Sequence, residues 1–289
     1  MTKEFLNQEL EVAQAGAGVK ESTALGRAGK VAATSFFSVS ILMTIGAVIF
    51  TVIFFISEVV GSSMMLNLNP GIDLTLAANH PDQPRDTVLA NRYVTPKRFD
   101  IIVVKHEYPN GRTDANGNTI FEEWYIKRLI AFAGERVSFK KYGDVPNDYY
   151  TTLVNGEEID ESGYLDPEYW GKMNIYGRKV YDYLQSSDPK AHLLGPSTDT
   201  YGIEDYSEFI VNHEIVIPDG YIFFMGDNRG GDNKGLYDGY HSWDCTAFGP
   251  QPASFILGVA VERIEVGTTI PQYVWEKIKL FFSFKWLFG

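Results

Sequence analysis

Residues 122–134 read EEWYIKRLIAFAG, and how this run folds decides the architecture around it. Side chains along a strand alternate between two faces. Tyr125, Lys127 and Leu129 then share one face, and Ile126, Arg128 and Ile130 the other. Apart from the two cations both faces are apolar, so neither is an evident solvent side. A lysine is seldom fully buried unless something pairs with it. Two readings are open at this point. Either the strand lies at an edge where Lys127 and Arg128 snorkel outward, or one of them is held inside for chemistry.

Working outward, the same kind of run recurs. DTVLANRYV (86–94), FDIIVVKHEY (99–108), RVSFKKY (136–142), EIVIPDGYIFFMGD (214–227) and ASFILGVAVERIEV (253–266) are rich in Val, Ile, Phe and Tyr. Gly, Pro, Asn and Asp bound them, the pattern of strands between turns. PNGRTDANGNT (109–119) contains two Asn-Gly pairs and predicts an exposed hairpin tip. No long amphipathic helix is evident after residue 58. The expected fold is therefore mainly β, an antiparallel core formed by 58–142 and 213–269. Residues 143–212, rich in Asp, Glu, Tyr, Gly and Ser and with little periodicity, are expected as a smaller acidic lobe inserted into it.

Upstream the pattern changes. From Val31 to Ser57, 27 residues pass without a charge. At ~1.5 Å per residue a helix of that length crosses a ~30 Å hydrocarbon layer with some tilt. The run is too long and begins too late for a cleaved leader. It predicts a signal-anchor helix over 31–57 behind a tail of residues 1–30. Arg27 and Lys30 precede it and Glu58 follows, which puts the N-terminus in the cytoplasm and the remainder outside. Residues 270–289 form a third kind of segment. YVWEKIKLFFSFKWLFG (273–289) mixes three lysines with seven aromatic residues, and its apolar runs are too short to span a bilayer. Two readings stay open: an interfacial segment resting on a lipid surface, or a terminal element packed on the core.

The formal charge of −12 argues against a nucleic-acid surface. Residues 1–30 carry equal numbers of acids and bases, so this charge belongs to the rest of the chain. Cys245 is the only cysteine, which excludes an intrachain disulfide. His80, His106, His192, His213 and His241 are scattered without ligand spacing, and no metal or other cofactor is expected. Asp227, Asp232 and Asp238 lie near several glycines, but their spacing fits solvated turns better than a calcium loop.

Five residues beyond Glu58 stands Ser63, in GSSMM (61–65). Serine needs a base to become a nucleophile, and lysine serves only when neutral. An ordinary lysine, with a pKa of ~10.4, is almost wholly charged at pH 7. Burial lowers that value, and a shift to ~8 leaves about a tenth neutral. Lys127 in its apolar run has surroundings of that kind.

These stretches together resemble the bacterial type I signal peptidases, membrane-anchored Ser–Lys endopeptidases. GSSMM is similar to their nucleophile box, and KRFDIIVV (97–104) to their strand box. YIKRLIAFAGERV (125–137) is similar to the box that carries their lysine, and LVNGEEIDESGYL (153–165) to the strand-turn-strand that follows it. IPDGYIFFMGDNR (217–229) resembles their Gly-Asp-Asn-Arg box, and HSWDCTAFGPQPASFILGVA (241–260) their closing Ser-x-Asp box. Six boxes occur in the family's order over roughly 59–266.

The resemblance implies Ser63 as nucleophile, its backbone N–H as an oxyanion donor, and Lys127 as general base. It implies Ser242 as the residue that orients the lysine, and Asp227, Arg128 and Asp244 as charged supports. Met64 and Ile126 would line a shallow pocket for alanine-sized side chains. Gly61, also implied at the substrate site, has no hydroxyl to offer as a second oxyanion donor. Three departures stand out. Leu66-Asn67 replaces the usual Pro-Thr, eleven residues (230–240) separate Arg229 from His241, and Thr246 replaces an arginine that usually partners the aspartate at 244. The implied activity is removal of signal peptides from exported preproteins after an Ala-x-Ala type motif. Two alternatives stand beside it: a non-catalytic assembly factor of the same fold, and a peptidase dedicated to surface or pilus subunits.

Overall fold

The computed structural model describes residues 3–65, 67–69, 85–113, 117–143, 149–165, 175–186, 206–229 and 242–282. His80, His192, His241, Leu66, the 230–240 insertion with Asp232 and Asp238, and the 283–289 end of the C-terminal segment lie outside them. The chain divides into two units, Met1–Ile53 and Phe54–Gly289. The first is a single helix, α1 (Lys3–Ile53). Its Gly29–Ile53 portion is long and apolar enough to cross a membrane, and no part of that portion is buried by protein.

The helix stops four residues before the charge-free run does, which corrects the boundary expected at 57. Phe54–Glu58 is a strand, β1, paired antiparallel with β2 (Thr87–Asn91). Hydropathy alone cannot separate the end of an apolar helix from the start of an apolar strand. Here Phe55 turns into a small apolar cluster, while Ser57 and the charged Glu58 carry the run out of its lipid-compatible part.

The second unit holds two antiparallel sheets. The larger runs in the order β1-β2-β12-β3-β4-β10-β11, with β3 Ile101–Thr113, β4 Thr119–Phe132, β10 Tyr221–Met225, β11 Gln251–Pro252 and β12 Ile256–Ile264. The smaller runs β7-β6-β5-β9-β8, with β5 Arg136–Tyr142, β6 Tyr149–Val154, β7 Glu157–Glu158, β8 Ile210–Val211 and β9 Glu214–Val216. This second sheet therefore draws β5 and β9 from sequence on either side of 143–212. Asn155-Gly156 and Asn212-His213 close its two-residue hairpins, and all four residues have positive φ, as the turn type that suits twisted strands requires.

β3 and β4 extend further than expected. Pro109-Asn110-Gly111, predicted as part of the hairpin tip, lies within β3 at a register shift between Glu107 and Arg112. Gly111 takes φ 72° there, and a Cβ would come within 2.7 Å of Thr119. Helices are also present beyond the first unit: α2 (Ile175–Gln185), the four-residue α3 (Cys245–Phe248) and α4 (Ile270–Phe282). The expectation of no long amphipathic helix after residue 58 is thus corrected by α4, whose alternation of aromatic and charged residues masks its period. The main core joins both sheets through residues such as Ile102, Leu129, Val137, Ile215 and Phe223. A smaller cluster gathers Val59, Met64, Leu68, Val88, Val103 and Ile126.

Candidate active site

β4 lies inside the larger sheet, between β3 and β10, so its middle residues have no open edge. Lys127 stands opposite Ile102 on β3 and is 2% exposed. The edge-strand reading of the opening stretch is excluded by this position. Desolvation pulls the Lys127 ammonium down from its ordinary value to about 8, against the opposing pull of Asp244, Glu123 and Asp227. Its Nζ lies 5.3 Å from the centre of the Tyr125 ring. Tyr125 in turn donates to Glu123 at 2.7 Å.

On the other side β10 places Met225 opposite Arg128, so the next residue, Gly226, comes alongside Lys127. Three pieces of chain converge there. A Cβ at Gly226 would lie 2.4 Å from the Ser63 carbonyl oxygen and 2.2 Å from the Ser242 Oγ, distances no real side chain tolerates. Ser63 sits half-buried in the turn after Gly61, and its carbonyl accepts from the Asn228 backbone N–H at 3.0 Å. Asn228 Nδ2 donates to the Ser62 carbonyl at 3.1 Å. The serine loop is therefore stapled by its backbone carbonyls to the backbone and side chain of Asn228 in the 226–229 turn.

The expected charged residues meet in the same place. Arg128 grips Asp227 with two hydrogen bonds, Nε to Oδ1 at 2.6 Å and Nη2 to Oδ2 at 2.5 Å. Both groups are buried, which makes the pair geometrically strict. Asp244 receives the Gly226 N–H at 2.9 Å on one oxygen. Its other oxygen receives the Thr246 N–H at 3.0 Å and hydroxyl at 2.6 Å. Thr246 thus stands in for the missing arginine by hydrogen bonding, and Asp244 also caps α3. Ser242 is fully buried beside Gly226.

Asn67, one of the departures noted above, bridges the site. Its amide donates to Asp227 at 2.8 Å and to the Tyr164 carbonyl at 2.7 Å. Gly61 has φ 87°, a conformation that any residue with a Cβ adopts only under strain. A hydroxyl-bearing residue at 61 would meet that strain in this turn. Met64 and Ile126 share the smaller apolar cluster, at 1% and 7% exposure.

A profile described as "Signal peptidase, peptidase S26" matches residues 32–264. The chain belongs to the signal peptidase family, peptidase S26. Among its relatives, the signal peptidase I of Bacillus caldolyticus is 29% identical over 56% of this chain and 58% of its own length. That of Pseudomonas aeruginosa is 27% identical over 60% of this chain and 47% of its own length. The Aquifex aeolicus signal peptidase I is 29% identical over 54% of this chain and 63% of its own length. The chain thus spans roughly half to three-fifths of the curated relatives it matches.

Two buried features of this family member had no signal in the residue pattern. Arg229 forms an ion pair with Glu161, each side chain 4% exposed, and its Nε donates to the Gly226 carbonyl at 2.7 Å. Asn69 braces the serine loop from below: its backbone N–H donates to Asp86 and its amide to the Val59 and Gly61 carbonyls. Asn69 has positive φ, a region that Asn tolerates better than most residues. Among the described residues, no three His, Cys, Asp or Glu side chains are grouped to hold a metal ion.

Proposed function

We propose that the chain is a membrane-anchored serine endopeptidase that removes signal peptides from exported preproteins. The observation that carries this reading is Lys127, a buried cation with a pKa of about 8 on an interior strand. It lies next to the Gly226 position where the backbone of Ser63 and the hydroxyl of Ser242 converge. Storing a charge there serves no packing purpose, whereas a lysine near neutrality is what a serine nucleophile needs.

In this reading neutral Lys127 takes the Ser63 hydroxyl proton as Oγ attacks the scissile carbonyl. The Ser63 backbone N–H stabilises the oxyanion that forms. Collapse breaks the peptide C–N bond, and the Lys127 ammonium returns its proton to the leaving amine. Water, deprotonated by the same lysine, then releases the signal peptide from Ser63. Ser242 and Asp244 hold the lysine in position, and the Arg128–Asp227 pair fixes the turn that carries Gly226. Met64 and Ile126, both in the smaller apolar cluster, would form the apolar wall of a pocket for alanine-sized side chains.

The Gly29–Ile53 helix anchors the enzyme, with residues 1–28 cytoplasmic and the sheets on the outer face. The substrates follow from that placement, since only exported chains present a cleavage site there. The test is cleavage of a preprotein with Ala at P1 and P3 by the detergent-solubilised full chain. Ser63→Ala and Lys127→Ala each abolish it while the fold survives, and a P1 Phe substrate resists the wild type. Substantial cleavage by Lys127→Ala defeats the Ser–Lys assignment, and inactivity of the wild type points instead to a non-catalytic role.

A further inference from the structure

The helix α4 follows β12 and leaves one side without protein cover. At ~100° per residue, Ile270, Val274 and Trp275 fall within roughly 140° of the helix circumference. They are 38%, 44% and 57% exposed. In the sequence the same line of i+4 positions continues to Ile278. Lys277 and Lys279 fall just outside this sector, one on each side of it. The flank beside Lys277 is tied down: the Tyr273 hydroxyl donates to Glu262 of β12 at 2.6 Å, and Lys277 pairs with the same carboxylate.

The attachment point has a definite place in the sheet. Glu262 is level with Leu89 of β2, and Leu89 is level with Ile56 of β1. Ile56 is three residues beyond Ile53, the end of the apolar helix. The attachment point of α4 is therefore on the strand group whose first strand follows the apolar helix directly in sequence. An apolar sector bordered by lysines, on the strand group directly continuous with a membrane span, matches one occupant. We infer that α4 lies flat on the anionic lipid surface from which the anchor emerges, its Ile270–Val274–Trp275 face inserted and Lys279 at the headgroups. Apolar burial of ~5–10 Å and lysine snorkelling are the usual form of such contacts. The contact gives the catalytic unit a second hold on the bilayer and restrains its rotation about the chain at Phe54. This rests on the membrane anchoring proposed above, which flotation of the full chain with vesicles tests separately.

Depth-dependent fluorescence quenching decides the matter. Cys245 is fully buried, so a thiol-reactive environment-sensitive dye on the folded full chain reads only an introduced cysteine. Trp275→Cys is compared with Glu276→Cys on the polar side and Glu157→Cys on the second sheet, with Val274→Cys as a second apolar position should the first fail to fold. All are reconstituted in vesicles containing phosphatidylglycerol and a doxyl-labelled phospholipid. Quenching at 275 or 274 should exceed that at 276 and 157 by about two-fold or more. Lys279→Glu should reduce the quenching in anionic vesicles and leave it unchanged in zwitterionic ones. Equal quenching at 275, 274 and 276 overturns the inference. So does a blue-shifted signal at 275 that doxyl lipid leaves unquenched and dilution of the protein abolishes, since a second copy of the chain would then cover the face.

Discussion

At the scale of a single residue, Lys127 carries the most information. Its apolar neighbours in sequence left both an edge strand and an interior strand open. Only the pairing of β4 with both β3 and β10 separates them, and pairing partners 25 and 97 residues away are not written in a local pattern. A folded-state pKa of about 8, below the ordinary 10.5, makes two predictions with definite signs. In the proposed mechanism the reactive form is the neutral one, so kcat/KM should rise with pH and level off above a midpoint near 8. Asp244 opposes the desolvation of Lys127, so Asp244→Asn should lower the lysine pKa further and move this acidic limb to lower pH. A pH–rate profile of the two proteins checks both, and a limb that moves upward in the variant refutes the coupling. The second prediction concerns stability. Below about pH 8 folding buries a charged lysine, and at ~1.4 kcal/mol per pKa unit the cost is a few kcal/mol. The cost fades as pH climbs from 8 to 10.5, where lysine is neutral in both states. Lys127→Met should therefore be inactive yet more resistant to urea at pH 7, with the difference vanishing near pH 10.5.

At the scale of elements, the site is an agreement between loops that lie far apart in sequence. The serine turn, the 226–229 turn and the start of α3 meet at Gly226, and each contributes backbone as well as side chains. The strands that frame them were legible from their Val, Ile and Phe content. The end of α1 at Ile53, the amphipathic α4 and the role of Thr246 were not. Each depends on a partner: β2 for Phe54–Glu58, Glu262 for α4, and the carboxylate of Asp244 for Thr246. The Glu161–Arg229 pair is the clearest case, because 68 residues separate two charges that read singly as solvated loop residues. Gly226 offers the sharpest test of the convergence. In Gly226→Ala the new methyl group meets a backbone oxygen at 2.4 Å, which cannot rotate away. The Ser63 turn must shift by several tenths of an ångström or more. Misplacement on the ångström scale costs about 100-fold in rate, so kcat should fall by that order while far-UV circular dichroism stays unchanged. An active Gly226→Ala enzyme would mean that the three segments meet less tightly than the geometry requires.

At the scale of the whole molecule, the remaining question is which side of the membrane each unit occupies, and the sequence poses it more clearly than the fold does. Arg27 and Lys30 flank the N-terminal end of the apolar helix, and Glu58 follows its other end by five residues. Positive charge is retained on the cytoplasmic side, whereas acidic residues have little influence on orientation. The two cations therefore set the topology in this reading. Cys245 cannot report on it, because it is fully buried and its thiol is pushed well above its ordinary value by desolvation. Glu157, exposed on β7, can be replaced by cysteine without touching the core. A membrane-impermeant maleimide should label Glu157→Cys in sealed right-side-out vesicles and leave it untouched in inside-out ones until detergent is added. Reversing the determinants with Arg27→Glu and Lys30→Glu should divide the label between the two preparations, because the bias that selects one orientation is then gone. The same double variant, solubilised in detergent, should cleave preprotein as well as the parent does, since neither residue belongs to the catalytic unit. Labelling of Glu157→Cys confined to inside-out vesicles would put the Ser63 site in the cytoplasm, out of reach of exported substrates.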